Sequence, residues 1–296
     1  MNIAIIGAPV DLGADRRGVD MGPSAIRYAG LEQSLRNIGH EVTDLGNIPA
    51  PVPEAIDTGP HNLKYLAPIV AMAEHLASKV SDAIDRDCFP LVLGGDHSIS
   101  LGSLTGVTAR RRVGIIWMDA HGDFNTGDSS PSGNIHGMVL AALAGFGDEK
   151  LVNLGGFAPK TKPANIVVVG VREIDPGERA LLREHGVMVF TMHDIDRMGL
   201  PAVMGLAIER AGDGVDGIHL SLDLDVVDPL QAPGVGTPVL GGLTYRETHL
   251  AMELLASSGL TRSIDIVEVN PVLDTRNETA KLAVQFALSA LGKKIM

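Results

Sequence analysis

Short apolar runs recur from one end of the chain to the other, with longer stretches of helical period between them. Runs at Ile3–Gly7, Glu41–Leu45, Leu91–Leu93, Val113–Met118, Ile166–Val171, Val187–Phe190, Gly217–Leu222 and Ser263–Glu268 predict strands. Most are continuously apolar rather than alternating. That is the pattern of strands covered on both faces, as in a parallel sheet between two layers of helices. Asn62–Arg86 carries apolar residues at Leu63, Leu66, Ile69, Val70, Ala73, Leu76, Ala77 and Val80, a period near 3.6 that predicts a helix. Thr244–Ser257 opens on Thr244 and Glu247 at capping-box spacing. Thr275–Leu291 ends just before Lys293 and Lys294, cations placed to complement a helix C-terminus. Pro49–Pro60 and Gly147–Pro163 read as surface loops, and no repeat or low-complexity linker divides the chain. The expected architecture is α/β: a single three-layer, doubly wound domain over residues 1–296, with a mostly parallel eight-stranded sheet flanked by helices. In such sheets ligands sit at the carboxyl ends of strands.

Three of those ends concentrate polar residues. Val113–Met118 runs into Asp119-Ala120-His121-Gly122-Asp123, Gly217–Leu222 into Asp223-Leu224-Asp225, and Leu91–Leu93 into Gly94-Gly95-Asp96-His97-Ser98. Residues two apart in extended chain point the same way, so Asp119, His121 and Asp123 project to one side, as do Asp223 and Asp225. Carboxylates gathered at a buried strand exit cost desolvation energy unless a cation compensates them. Asp is also a common turn former, which accounts for one Asp-x-His but not for clusters after three strands. Four Asp and two His suffice to hold two divalent metals, and the mixture of carboxylate and imidazole suits Mn²⁺ better than a thiolate-rich site would. A metal pair activates water at neutral pH.

Composition narrows the rest. A chain of 296 residues, 45% hydrophobic, can bury a sizeable core, and with 3% aromatics that core rests on aliphatic side chains. A net charge of −12 argues against nucleic acid and anionic membranes as partners. No apolar run approaches the ~18 residues of a membrane span. The N-terminal Met1–Gly7 reads as a strand rather than a basic leader, so a cytoplasmic protein is expected. The lone Cys88 excludes an internal disulfide framework and reads as a buried, inert thiol.

The three polar motifs, extended to Asp119-Ala120-His121-Gly122-Asp123-Phe124-Asn125 and Ser221-Leu222-Asp223-Leu224-Asp225-Val226-Val227-Asp228-Pro229, resemble the metal motifs of the ureohydrolases, and among those the arginases. The likeness runs from Arg17-Gly18-Val19 and Gly22-Pro23 to Glu268-Val269-Asn270-Pro271. It implies two Mn²⁺ per chain held by His97, Asp119, His121, Asp123, Asp223 and Asp225, and a homotrimer or homohexamer with Arg246–Glu247 at the subunit interface. The implied reaction is hydrolysis of L-arginine to L-ornithine and urea by a metal-bridging hydroxide. Asp123 would hold the nucleophile and accept its proton. Glu268, at the mouth of its strand, would pair with the guanidinium. His136, in Ser132-Gly133-Asn134-Ile135-His136-Gly137, titrates in a range that suits proton transfer, although a lone His at a helix start is more often a cap or a packed side chain. The resemblance makes it a proton shuttle.

The far end of the substrate needs donors for a carboxylate and acids for an ammonium. The resemblance assigns Asn125, Ser130 and Ser132 to the α-carboxylate, Asp175 to the α-amino group with Glu178 beside it, and Thr237 to the pocket near the guanidinium. Without it, the serines read as turn chemistry and the two acids as a favourable helix N-terminus. Agmatine lacks the α-carboxylate, so the presence of Asn125 and Ser132-Gly133-Asn134 favours arginine over an agmatinase or guanidinobutyrase substrate. A non-catalytic metal-binding homologue would have lost a site residue, and none is missing. Glu173 departs from the family pattern, which more often has Asp or Ser there. His40, His61, His75, His185, His193, His219 and His249 read as structural or exposed.

Overall fold

The computed structural model describes residues 1–294. Its eight strands are β1 (Asn2–Ala8), β2 (Glu41–Asn47), β3 (Phe89–Gly94), β4 (Val113–Met118), β5 (Ile166–Val171), β6 (Met188–Thr191), β7 (Gly217–Asp223) and β8 (Thr261–Val267). All eight join one sheet in the order β2-β1-β3-β8-β7-β4-β5-β6, and every pairing is parallel rather than only most of them. Side-chain alternation along each strand feeds two separate apolar layers. Ile3 and Ile5 pack on one face with Leu220, Ile264 and Phe286. Ala4 and Ile6 pack on the other with Leu76, Leu104 and Trp117. Burying each such aliphatic side chain contributes about 1.5–3 kcal/mol, so a one-residue slip of register would be costly on both faces.

Three helix boundaries differ from the periodicity or refine it. The first long helix is Leu66–Asp85, starting four positions later than the apolar pattern, because Tyr65 is left-handed and residues 58–65 are tied elsewhere. Tyr65 N–H bonds Thr58 O at 2.7 Å and Lys64 N–H bonds Gly133 O at 3.0 Å. The last helix is Glu278–Ala290, delayed by left-handed Arg276 and Asn277. The capping box at Thr244 is present and opens helix Tyr245–Ser258. Cys88 is half-buried rather than buried, since it lies in the turn before β3 rather than in the strand. Among the described residues no helix is long and apolar enough to cross a membrane.

The strand order gathers the polar motifs. β3, β8, β7 and β4 are consecutive neighbours. Their carboxyl ends therefore bring His97, Glu268, Asp223 with Asp225, and Asp119 through Asp123 to one edge of the sheet.

Candidate metal centre and substrate cavity

The exits of β4 and β7 are built alike. Asp119 Oδ1 accepts the N–H of His121 at 2.7 Å, and Asp223 Oδ1 accepts the N–H of Asp225 at 2.8 Å. Each Asp thus closes a small turn with one oxygen and leaves the other facing outward. The two outward oxygens converge on one atom. His97 Nδ1 lies 3.0 Å from Asp119 Oδ2, 3.2 Å from Asp223 Oδ2 and 3.3 Å from Asp123 Oδ2. That nitrogen makes no aligned hydrogen bond although the side chain is fully buried. On the far side of Asp119, His121 Nδ1 lies 3.3 Å from Asp119 Oδ1 and 3.1 Å from Asp225 Oδ2. The ligand atoms form two groups within metal-binding reach: His97, Asp119 and Asp223, and Asp119, His121 and Asp225. Asp119 belongs to both. Asp123 touches the first group through His97.

The electrostatics point the same way. Burial holds Asp223 well above the carboxylate range, and the charges of Asp225 and Asp119 add to it. Burial and Asp119 likewise raise Asp123. For His97, burial opposes charging, but the closeness and negative charge of Asp119, Asp123 and Asp223 outweigh it and push the imidazole well above its ordinary value. None of the four carboxylates pairs with a Lys or Arg of the described residues. Arg172, whose guanidinium feels the charges of Asp225 and Asp119, instead donates to the carbonyls of Gly170, Asp225, Val226 and Val239. A crowd of buried anions without a Lys or Arg partner among the described residues, centred on an imidazole nitrogen with no aligned bond, fits a pair of divalent metal ions.

Several partners stiffen the donor set. Trp117 stacks on His97 with ring centroids 3.8 Å apart and 7° between planes, and its Nε1–H donates to Asp119 Oδ2 at 3.0 Å. Thr237 Oγ–H donates to Asp225 Oδ2 at 3.0 Å. Ala120 N–H donates to Asp225 Oδ1 at 3.1 Å. Asp123 itself sits at φ 49°, a left-handed conformation that a non-glycine residue adopts at a cost and that turns its carboxylate toward the cluster.

Beside the cluster lies a cavity of about 530 Å³, lined by His121, Asp123, Asn125, Ser130, Ser132, His136, Glu173, Asp175, Glu178 and Thr237, with Arg16 at its rim. Every cavity residue expected from the sequence is there except Glu268. That carboxylate is completely buried behind His136: its Oε1 accepts the N–H of His97 at 2.9 Å and lies 3.4 Å from His136 Nδ1. Its Oε2 has no hydrogen-bond partner among the described residues. The residue leaves β8 at φ 65°, so it turns beneath the mouth instead of pointing out of it. Burial pulls His136 down, but the hydrogen bond and charge of Glu268, with Asp123 and Asp96, push it up to about 9. Glu178 also differs from expectation. Both its oxygens bind backbone, accepting the N–H of Phe124 at 2.8 Å and of Asp175 at 3.4 Å. It lines the cavity while clamping the metal loop to the helix Pro176–Glu184. Ser130 Oγ accepts Gly133 N–H at 3.0 Å and Ser132 Oγ accepts Asn134 N–H at 3.2 Å; the two hydroxyls lie 3.4 Å apart, so at least one hydroxyl hydrogen remains to donate into the cavity. Asn125 is held between Asp175 Oδ2, at 3.0 Å, and Ser129 Oγ, at 2.9 Å.

Sequence reading missed Trp117, Arg16 and the partners beneath His97. Trp117 stood two positions before Asp119 on an apolar strand, where strand parity could have placed it on the same face. The others have no local signal.

A model of the arginase family matches residues 1–292. The chain is 53% identical over 296 residues to an arginase of Bacillus subtilis (strain 168), with 99% of each chain covered. It superposes on the arginase of Bacillus caldovelox with a TM-score of 0.97 at 52% identity, covering 100% of this chain and 99% of that one. An Entamoeba histolytica arginase solved with L-ornithine matches with a TM-score of 0.89 at 31% identity, covering 99% and 98%.

Proposed function

The chain belongs to the arginase family, and we propose that it hydrolyses L-arginine to L-ornithine and urea using two Mn²⁺ ions held by the six ligands. It is a hydrolase acting on a guanidino group. The observation that carries the fuller reading is the union of two ligand groups sharing Asp119 with a cavity that ends in hydroxyl donors. Bound cations supply the one thing these side chains lack, acidification of a water near neutral pH.

The chain's own residues do the rest. A guanidinium is a weak electrophile because its charge is delocalised, so it must be held still. Its N–H groups need acceptors, and the unpartnered Oε2 of Glu268 beneath the mouth is one. Asp123, on the cavity wall, accepts the proton of the attacking water. Water adds at the guanidinium carbon, and the bond from that carbon to the side-chain nitrogen of ornithine breaks. The departing amine takes a proton. His136, raised by Glu268 and open to the cavity, carries protons between this step and solvent. At the other end, the hydroxyls of Ser130 and Ser132 and the amide of Asn125 receive the α-carboxylate. Asp175, with Glu173 nearby, faces the α-ammonium. By family resemblance the chain is a cytoplasmic homotrimer or homohexamer with Arg246–Glu247 at the subunit contact, and Arg246 is exposed at the start of its helix.

Purified protein loaded with Mn²⁺ should release urea from L-arginine and little from agmatine or 4-guanidinobutyrate. Urea from either of those, with none from arginine, would overturn the substrate assignment.

A further inference from the structure

We infer that Asp265, buried beneath the metal centre, is a positioning residue that fixes the tautomer and tilt of His97 through Ser100 and Ser221. The inference rests on the metal-centre reading. The side chain of His97 points its Nε2 away from the cluster, to Ser221 Oγ at 2.7 Å. Ser221 Oγ lies 3.4 Å from Ser100 Oγ, and Ser100 Oγ–H donates to Asp265 Oδ2 at 2.7 Å. Ser103, one turn along the helix Ser100–Thr108, donates to the same oxygen. His219 Nε2 stands 3.3 Å from it, with Nδ1 2.8 Å from Ser263 Oγ. All of these side chains are at most 1% exposed, in the layer between the sheet and that helix.

Direction is what makes this more than a satisfied polar cluster. An imidazole and two hydroxyls in a row could point their hydrogens either way. A carboxylate accepts only, so Ser100 must donate to Asp265. Ser100 then has lone pairs to offer Ser221, and Ser221 has lone pairs to offer His97. With Ser221 donating to Ser100, the direction consistent with a lone pair on Nδ1, the chain runs Nε2–H of His97 to Ser221, Ser221 to Ser100, Ser100 to Asp265. With its proton fixed on Nε2, His97 presents a lone pair at Nδ1, the nitrogen that faces Asp119, Asp123 and Asp223. An outer partner that orients a ligating His in this way raises its basicity and holds its ring. The register supports it: Ser221 and Asp265 are direct neighbours across β7 and β8, and His219 is two residues earlier on the same face of β7.

Ser100 and Ser103 make the test specific, because both bond the same Asp265 oxygen and only Ser100 lies on the path to His97. Metal-free protein titrated with Mn²⁺ alone should show two sites by calorimetry. Ser100→Ala should weaken one site about 10-fold and leave the second within about 2-fold. Ser103→Ala should leave both near the unsubstituted values, and the metal-free melting temperatures of the two variants should agree. Equal weakening in both variants, or none in either, overturns the inference while the metal centre stands. Unsubstituted protein that takes up no Mn²⁺ removes the metal centre and this inference together.

Discussion

The exits of β3 and β4 begin with the same turn and end in different work. At each, an aspartate accepts the N–H two residues on: Asp96 Oδ1 from Ser98 at 2.9 Å, Asp119 Oδ1 from His121 at 2.7 Å. The other oxygen decides the outcome. Asp119 Oδ2 faces His97 Nδ1. Asp96 Oδ2 is taken by the N–H of Gly13 at 2.7 Å, which ties the loop after β1 against the site. The approach is close enough that a side chain at Gly13 would strike Asp96, with Oδ1 only 2.5 Å from its Cβ. Turn former and metal ligand are thus compatible roles for one carboxylate, and what separates Asp119 from Asp96 is that its second oxygen faces the cluster instead of a backbone N–H of another loop.

The hardest way to break this comparison is Asp119→Asn. Because Asp119 serves both ligand groups, both ions should be lost. Affinity should fall beyond the ~10–100-fold that removal of an outer partner costs, with urea production below detection. Retention of two ions by calorimetry would sink the shared-ligand geometry. Asp96→Asn should do the opposite. It sets an amide N–H₂ against one of two buried N–H groups, at about 1–3 kcal/mol, so the metal-free protein should lose that much stability in urea unfolding. Two Mn²⁺ should still bind. A stoichiometry of one would mean that Asp96 holds metal after all. The smallest effect sharpens the rule with a third acid. Glu178 lines the same cavity, yet both its oxygens bind backbone. Burial pushes it up to about 8 from an ordinary 4.5, against the Phe124 N–H bond that lowers it. A carboxyl raised in the fold binds a proton there that the unfolded chain has already lost. Metal-free stability should therefore decline as pH rises from about 4.5 to about 8. Glu178→Gln should flatten part of that decline without changing metal stoichiometry. An unchanged pH slope would show that the group titrates normally.

Legibility in the sequence divides along the same line. The sheet could be read because continuous apolar runs and helical periods are local signals. The ligands could be read because Asp-x-His and Asp-x-Asp follow those runs. What the chain did not display was which second oxygen faces the cluster, since Asp96 and Asp119 look alike until Gly13 is brought alongside. Ser100 and Asp265 are separated by 165 positions, and neither breaks the apolar pattern enough to attract notice. His219, read as one more structural or exposed histidine, proved completely buried and bonded to Ser263. Glu268 was placed on the right strand end but not given its left-handed turn, because φ is decided by the neighbours it must avoid.

The position of β8 has a consequence for how the molecule is made. It pairs with β3 on one side and β7 on the other, yet it is the last of the eight strands to be synthesised. Until residues 261–267 clear the ribosome, no strand joins the half of the sheet bearing His97 to the half bearing Asp119 and Asp223. The nascent chain must hold open an apolar slot at the middle of its sheet, a non-local closure of the kind that is slow and exposed to aggregation.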